Sequence, residues 1–108
     1  MKKLAAILAL ACLSFAANAA DVDADAAQAL LRKSNCFKCH AIDKKKDGTP
    51  YKEVAKKYKG KADAEEKLFK HITTGPMVKN GDKEEEHSKI KSTDDGEIRN
   101  VIHWILSL

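Results

Sequence analysis

Two cysteines and a histidine fall within five consecutive positions, Cys36-Phe37-Lys38-Cys39-His40, in a chain of 108 residues that holds three cysteines in all. Three chemistries use such a cluster. A disulfide or redox pair suits an exported chain, but the Cys-x-x-Cys redox motif belongs to a βαβ setting, which this sequence does not offer. A structural zinc site wants four closed ligands from two separated pairs, and there is no second cysteine pair. The third is a porphyrin. Two thiols bond its two vinyl groups, and the adjacent histidine reaches the iron from one side. One helical turn presents all three groups to one planar ring, and Cys-x-x-Cys-His is the attachment signal for c-type haem. We favour that reading: one covalent haem c.

The elements around this cluster begin with a leader. Lys2 and Lys3 precede an apolar run from Leu4 to Phe15, and Ala17-Asn18-Ala19 is a small-x-small cleavage site. Residues 1–19 thus read as a cleaved secretory signal and residues 20–108 as one haem-binding domain in the periplasm. The run is too short to span a bilayer as a helix, and no later segment is apolar enough, so stable membrane insertion is not expected. Cys12 lies inside the run. A lipidated Cys12 is the competing reading, but Ala9 stands where such signals carry Leu, and "LSFAANAA" is not a polar tether.

A domain this small is marginal without a disulfide, a metal or a bound group. A haem answers that need by adding its own apolar faces to the core. Loss of Lys2 and Lys3 takes two charges off the formal +4, which leaves too weak a basic balance for a nucleic-acid binder. The signs are sorted along the chain. Lysines crowd positions 44–61, and Glu84, Glu85 and Glu86 form an acidic block.

Periodicity predicts about four helices and no strand. Residues 24–34 are rich in helix formers and should run into Asn35-Cys36. Tyr51, Val54, Ala55 and Tyr58 mark a short amphipathic helix, ended by Gly60. Asp63 can cap the next one, with Leu68, Phe69 and Ile72 on its buried stripe and Gly75-Pro76 as its stop. The last helix starts near Asp94 with Glu97 as capping partner. It carries Ile98, Val101, Ile102 and Ile105 on one face. Residues 75–93 are a long charged loop, the kind that is functional or disordered. The fold class is all-α.

These features together resemble a small bacterial class I cytochrome c of the c-551/c-552 (cytochrome c8) type. The stretches "ALLRKSNCFKCHAID", "TPYKEVAKKYKG" and "IRNVIHWILSL" carry the resemblance. It implies a class I cytochrome c fold around one haem, with Cys36 and Cys39 as thioether positions and His40 as proximal iron ligand. It also implies that the Pro50 carbonyl orients that histidine, that Trp104 is the tryptophan of the last helix, and that this helix crosses the first.

The sixth ligand departs from the family, whose Met-Pro-Pro motif is missing. His87 stands a few residues before Thr93-Asp94, where the family's methionine would be, and imidazole is a strong iron ligand. His87 is the preferred distal ligand. Met77, after Gly75-Pro76, is the alternative, but it follows His40 too soon for a loop that must travel around a haem. His71, on a helix flank, and His103, opposite the isoleucine stripe and expected in solvent, fit the distal position less well. Two imidazoles favour Fe(III) more than a thioether does, so a lowered reduction potential is expected.

The function that follows is single-electron transfer between periplasmic redox proteins rather than catalysis, since a six-coordinate iron offers no substrate position. Lys38, Lys44 to Lys46 and the lysines of 52–61 could surround the haem edge near Cys36 and Cys39, and an acidic partner would suit them. A monomer or weak dimer fits the family. The competing reading is a haem-based sensor, or a subunit of a redox enzyme, with a displaceable distal ligand.

Overall fold

The computed structural model describes residues 21–108. The signal sequence expected at 1–19, and Cys12 within it, lie outside the described residues. Four α-helices form: α1 (Ala24–Lys33), α2 (Tyr51–Tyr58), α3 (Ala64–Thr74) and α4 (Asp95–Leu106). A short 3-10 turn, Cys36–Lys38, follows α1. Among the described residues no helix is long and apolar enough to cross a membrane.

Helix α4 is the central beam. Its apolar stripe is buried as the spacing requires, with Val101 and Ile102 fully enclosed and Ile98 and Ile105 nearly so. Asp94 caps it by accepting from the Glu97 backbone N–H at 2.8 Å. The Glu97 carboxylate does not complete the box back to Asp94; it accepts instead from the Ser92 hydroxyl at 2.7 Å. Helices α1, α2 and α3 each pack on α4. Ala27 and Leu31 carry the α1 side of the core. The crossing is locked at its end, where Asp23 N–H donates to Asn100 Oδ1 at 3.0 Å and the Asn100 amide returns a bond to the Asp23 carbonyl at 2.9 Å.

The loop expected over 75–93 is not all loop. Met77–Asn80 and Lys83–Glu86 form an antiparallel hairpin, β1 and β2, with Met77 opposite Glu86 and Asn80 opposite Lys83. Gly81 (φ 63°) makes the turn. A left-handed first central residue is what a two-residue II′ connection needs. The Asn80 amide donates to Glu85 Oε1 at 2.8 Å and fastens the two strands.

Candidate haem-binding site

The attachment cluster is shaped by what ends α1. Ser34 closes the helix, and Asn35 then takes a left-handed conformation (φ 59°) that turns the chain sharply. Asparagine tolerates that region better than most side chains. The helix therefore stops before Asn35 rather than running into Cys36. The turn that follows is held by His40 N–H and Cys39 N–H, both donating to the Cys36 carbonyl, at 3.0 and 3.2 Å. Cys36 and Cys39 form no disulfide with each other, and each is half-buried. Burial pushes the Cys36 thiol up, opposed by the Tyr51 hydroxyl beside it. Burial likewise raises the Tyr51 hydroxyl.

The His40 ring is gripped on three sides. Its Nδ1 lies 2.7 Å from the Thr49 carbonyl. A carbonyl can only accept, so Nδ1 carries the proton and Nε2 keeps its lone pair for a metal. Tyr51 stacks on the ring at 5.0 Å between centroids, 17° from parallel. Gly48 lies behind it: a Cβ there would sit 2.6 Å from His40 Cε1. Here one expectation is corrected. The acceptor for the ring is Thr49, not Pro50. The Pro50 carbonyl is taken by the N–H groups of Glu53 and Val54 at 3.0 and 3.1 Å, in the first turn of α2. Pro50 acts one step removed, by fixing the backbone (φ −57°) that aims the carbonyl before it. Trp104 is buried on α4 with its ring edge-on to Tyr51 at 6.2 Å, so it backs the ring that backs His40.

On the other side stands His87, directly after β2. Its N–H donates to the Pro76 carbonyl at 2.9 Å, which extends the hairpin ladder by one bond. Gly75 (φ 62°) makes room for it, since a Cβ there would lie 2.6 Å from the His87 carbonyl oxygen. The His87 and His40 rings face each other at 6.1 Å between centroids, with planes 49° apart. Two metal–imidazole bonds of about 2 Å each, with the two ring half-widths, span that gap. His87 Nδ1 is buried and has no hydrogen-bond partner among the described residues. Burial holds the ring's pKa below the usual histidine value, with the Ser88 backbone opposing and His40 adding to the drop. The neutral imidazole is the metal-binding form. These residues fit a planar iron porphyrin held between two histidines.

Met77 is elsewhere. It lies on β1 opposite Glu86 with 63% of its surface exposed. His71, set aside on sequence grounds, packs its ring on His87 at 4.3 Å. Burial lowers its pKa, and His87, His40 and Lys57 lower it further. The lysines divide into two groups. Lys46 reaches the attachment turn and donates to the Phe37 carbonyl at 2.9 Å, whereas Lys52, Lys56, Lys59 and Lys61 line a groove beside the C-terminal end of α4. His103 is not free in solvent as expected; it meets Glu65 at 3.0 Å.

Comparisons with known proteins give the family. The cytochrome c family model matches residues 24–108. The chain belongs to the cytochrome c family. It is 55% identical to the class 1 cytochrome MtoD of Sideroxydans lithotrophicus ES-1, with a TM-score of 0.76 over 80% of this chain and 96% of that one. Against cytochrome c552 of Nitrosomonas europaea the identity is 30% and the TM-score 0.61, over 75% and 98% of the two chains. Cytochrome c-551 of Pseudomonas aeruginosa is 33% identical over 88 residues, 74% of each chain. The cofactor of a cytochrome c is one covalent haem c, whose attachment signature Cys36-Phe37-Lys38-Cys39-His40 satisfies. A cytochrome c is an electron carrier, not an enzyme.

Sequence reasoning missed Gly48, Thr49, Gly75 and His71 as residues that shape this cytochrome's site. Gly75-Pro76 was visible as a helix stop. That the same glycine admits the His87 backbone could not be read without the tertiary fold.

Proposed function

We propose that this cytochrome c carries single electrons between protein partners in the periplasm, with its iron held by His40 and His87 and its porphyrin bonded to Cys36 and Cys39. In this reading residues 1–19 are a cleaved export signal and residues 20–108 the mature domain. The observation that carries the ligand assignment is the pair of imidazoles from opposite sides of the site, 6.1 Å apart between ring centroids. Exposure of Met77 supports the same choice.

Bound haem supplies a one-electron Fe(III)/Fe(II) couple. The chain does the rest. Thr49 fixes the proton of His40 on Nδ1 and so points Nε2 at the metal. The hydrogen bond also makes the imidazole a better donor. His87 enters from a hairpin pinned at Pro76 and Gly75, so little structure must rearrange when the charge on iron changes. With His40 and His87 both holding the iron, no position on it would be left for a substrate. Two imidazoles favour the ferric state, and the potential sits below that of histidine–methionine relatives.

EPR and near-infrared magnetic circular dichroism of the purified ferric protein test this. Bis-imidazole low-spin spectra are expected. Histidine–methionine spectra would transfer the role to Met77, and a high-spin spectrum would sink both ligand assignments and the simple carrier reading with them.

A further inference from the structure

Between the end of α2 and the last residues of the chain lies an open groove of about 700 Å³. Lys52, Lys56, Lys59 and Lys61 line it together with the apolar side chains of Ala55 and Leu106. All four lysines are exposed, and none has a carboxylate within ion-pair distance among the described residues. Lys67 is paired with Asp63 at 3.0 Å, Lys89 with Glu86 at 3.6 Å, and Arg99 with three carboxylates. Asp63, close in sequence to Lys61, is thus already committed.

Helix electrostatics does not account for the cluster. Cations favour a helix C-terminus, which covers Lys56 and, just beyond the end, Lys59. Lys52 is in the first turn of α2, where a cation is unfavourable, and stands one turn before Lys56 in a like-charge spacing that disfavours the helix. Lys61 lies past the helix altogether. Its ammonium sits 5.9 Å from the Tyr58 ring centroid, with Lys57 at 5.5 Å. A cation over an aromatic ring is held by the ring's negative face, so part of the cationic rim is already in position.

We infer that this groove docks an acidic segment of a partner protein, with carboxylates on the lysine rim and one apolar side chain on the Ala55–Leu106 floor. Charge complementarity selects the partner: four uncompensated cations in one concavity suit an acidic chain and repel a basic one. The groove is separate from the attachment turn. It runs along α2 from Lys52 to the end of the chain, and none of residues 36–40 lines it. A partner held in the groove therefore leaves the edge near Cys36 and Cys39 free for electron exchange. The inference rests on the reading of the protein as a carrier between protein partners.

The test is an NMR titration of the reduced, haem-loaded, isotope-labelled protein with the peptide Ac-Glu-Asp-Leu-Glu-Asp-NH2. Amide shifts should concentrate on residues 52–61 and 106–108. Affinity should drop by about tenfold or more in a Lys56→Glu/Lys59→Glu/Lys61→Glu variant, whose Soret spectrum and amide dispersion report that it is folded. A Lys44→Glu/Lys45→Glu variant should bind almost as well as the parent. Shifts centred on 38–46, or binding indifferent to the groove variant, would overturn the proposal. So would equal affinity for a peptide with serine in place of leucine. Phosphatidylglycerol vesicles that perturb the groove more strongly than the peptide does would reassign it to a lipid surface. The titration involves no electron transfer, so its failure leaves the carrier reading intact, and a high-spin EPR spectrum would leave the titration interpretable.

Discussion

His40 and His87 each have a glycine at their back. Gly48 leaves room for the His40 ring and Gly75 for the His87 backbone, in both cases where a Cβ would intrude to 2.6 Å. The two have different consequences. Gly48→Ala presses on the ring itself and on its 2.7 Å contact with Thr49. Weakening that hydrogen bond makes His40 a poorer donor to Fe(III), so the potential should rise, by roughly 30–60 mV if the oxidised state loses up to tenfold in relative stability. Redox titration of the variant reads it directly; an unchanged potential would mean that the ring escapes without losing Thr49. Gly75→Ala combines a left-handed backbone (φ 62°) with the intrusion on His87. Such a site loses more than about 1 kcal/mol on gaining a Cβ, and the strain falls on His87. Cyanide should bind the ferric variant about tenfold faster than the parent, and an equal rate would show that His87 is held from elsewhere. At this scale the sequence was legible where chemistry is consecutive. Cys36, Cys39 and His40 announce themselves by spacing. Gly48 and Thr49 reach His40 through a turn whose course no local pattern encodes.

The hairpin was the element hardest to read. Strand β2 is Lys83-Glu84-Glu85-Glu86, fully exposed, with neither alternation nor β-branched residues. Its pairing comes from the turn and from register rather than from a buried face. Gly81-Asp82 was the available signal, since glycine at the first of two loop positions marks a tight II′ hairpin turn, but without alternating apolar flanks it reads as loop. The hairpin's exit is better anchored than its tip. Beyond His87, the Ile90 N–H donates to the Ile72 carbonyl of α3 at 2.8 Å, and the Lys91 N–H donates to the Ser34 hydroxyl at 2.8 Å. Ser34 is 2% exposed and ends α1 just before the attachment turn. One hydroxyl thus ties the proximal segment to the distal one. Ser34→Ala should orphan the Lys91 N–H and destabilise the holoprotein by about 1–2 kcal/mol, each kcal/mol being roughly 4–8 °C in a domain of this size. A thermal melt followed at the Soret band measures it. A shift of under a degree would mean that water takes the hydroxyl's place.

On the scale of the whole molecule, the helices were legible because α4 carries its apolar residues at helical spacing and the other three helices pack on it. The polar clamp on its opposite side was not, because it needs α3 and α4 brought together. Arg99 binds Glu65 at 2.8 Å, Glu66 at 2.9 Å and Asp95 at 2.8 Å, and lies over the Phe69 ring at 4.7 Å from its centroid. His103, one turn on, meets the other oxygen of Glu65 at 3.0 Å. Glu65 is therefore the shared carboxylate that joins α3 to α4. The hydrogen bond from His103, and then that from Arg99, hold its pKa below the usual carboxylate value. A carboxylate depressed on folding stabilises the protein in full above the ordinary value, about pH 4.3. That contribution is lost as the pH falls through the lower folded value, because protonation then costs the native state its charge partner. Glu65→Gln should accordingly be less stable than the parent at neutral pH, and the gap should close in acid, where the parent's carboxylate is protonated too. Denaturant midpoints of both proteins at about pH 6 and about pH 3 make the comparison. A gap of equal size at both values would assign the loss to packing. No gap at either would mean that solvent screens the clamp entirely and that the apolar contacts of α3 alone hold it to α4.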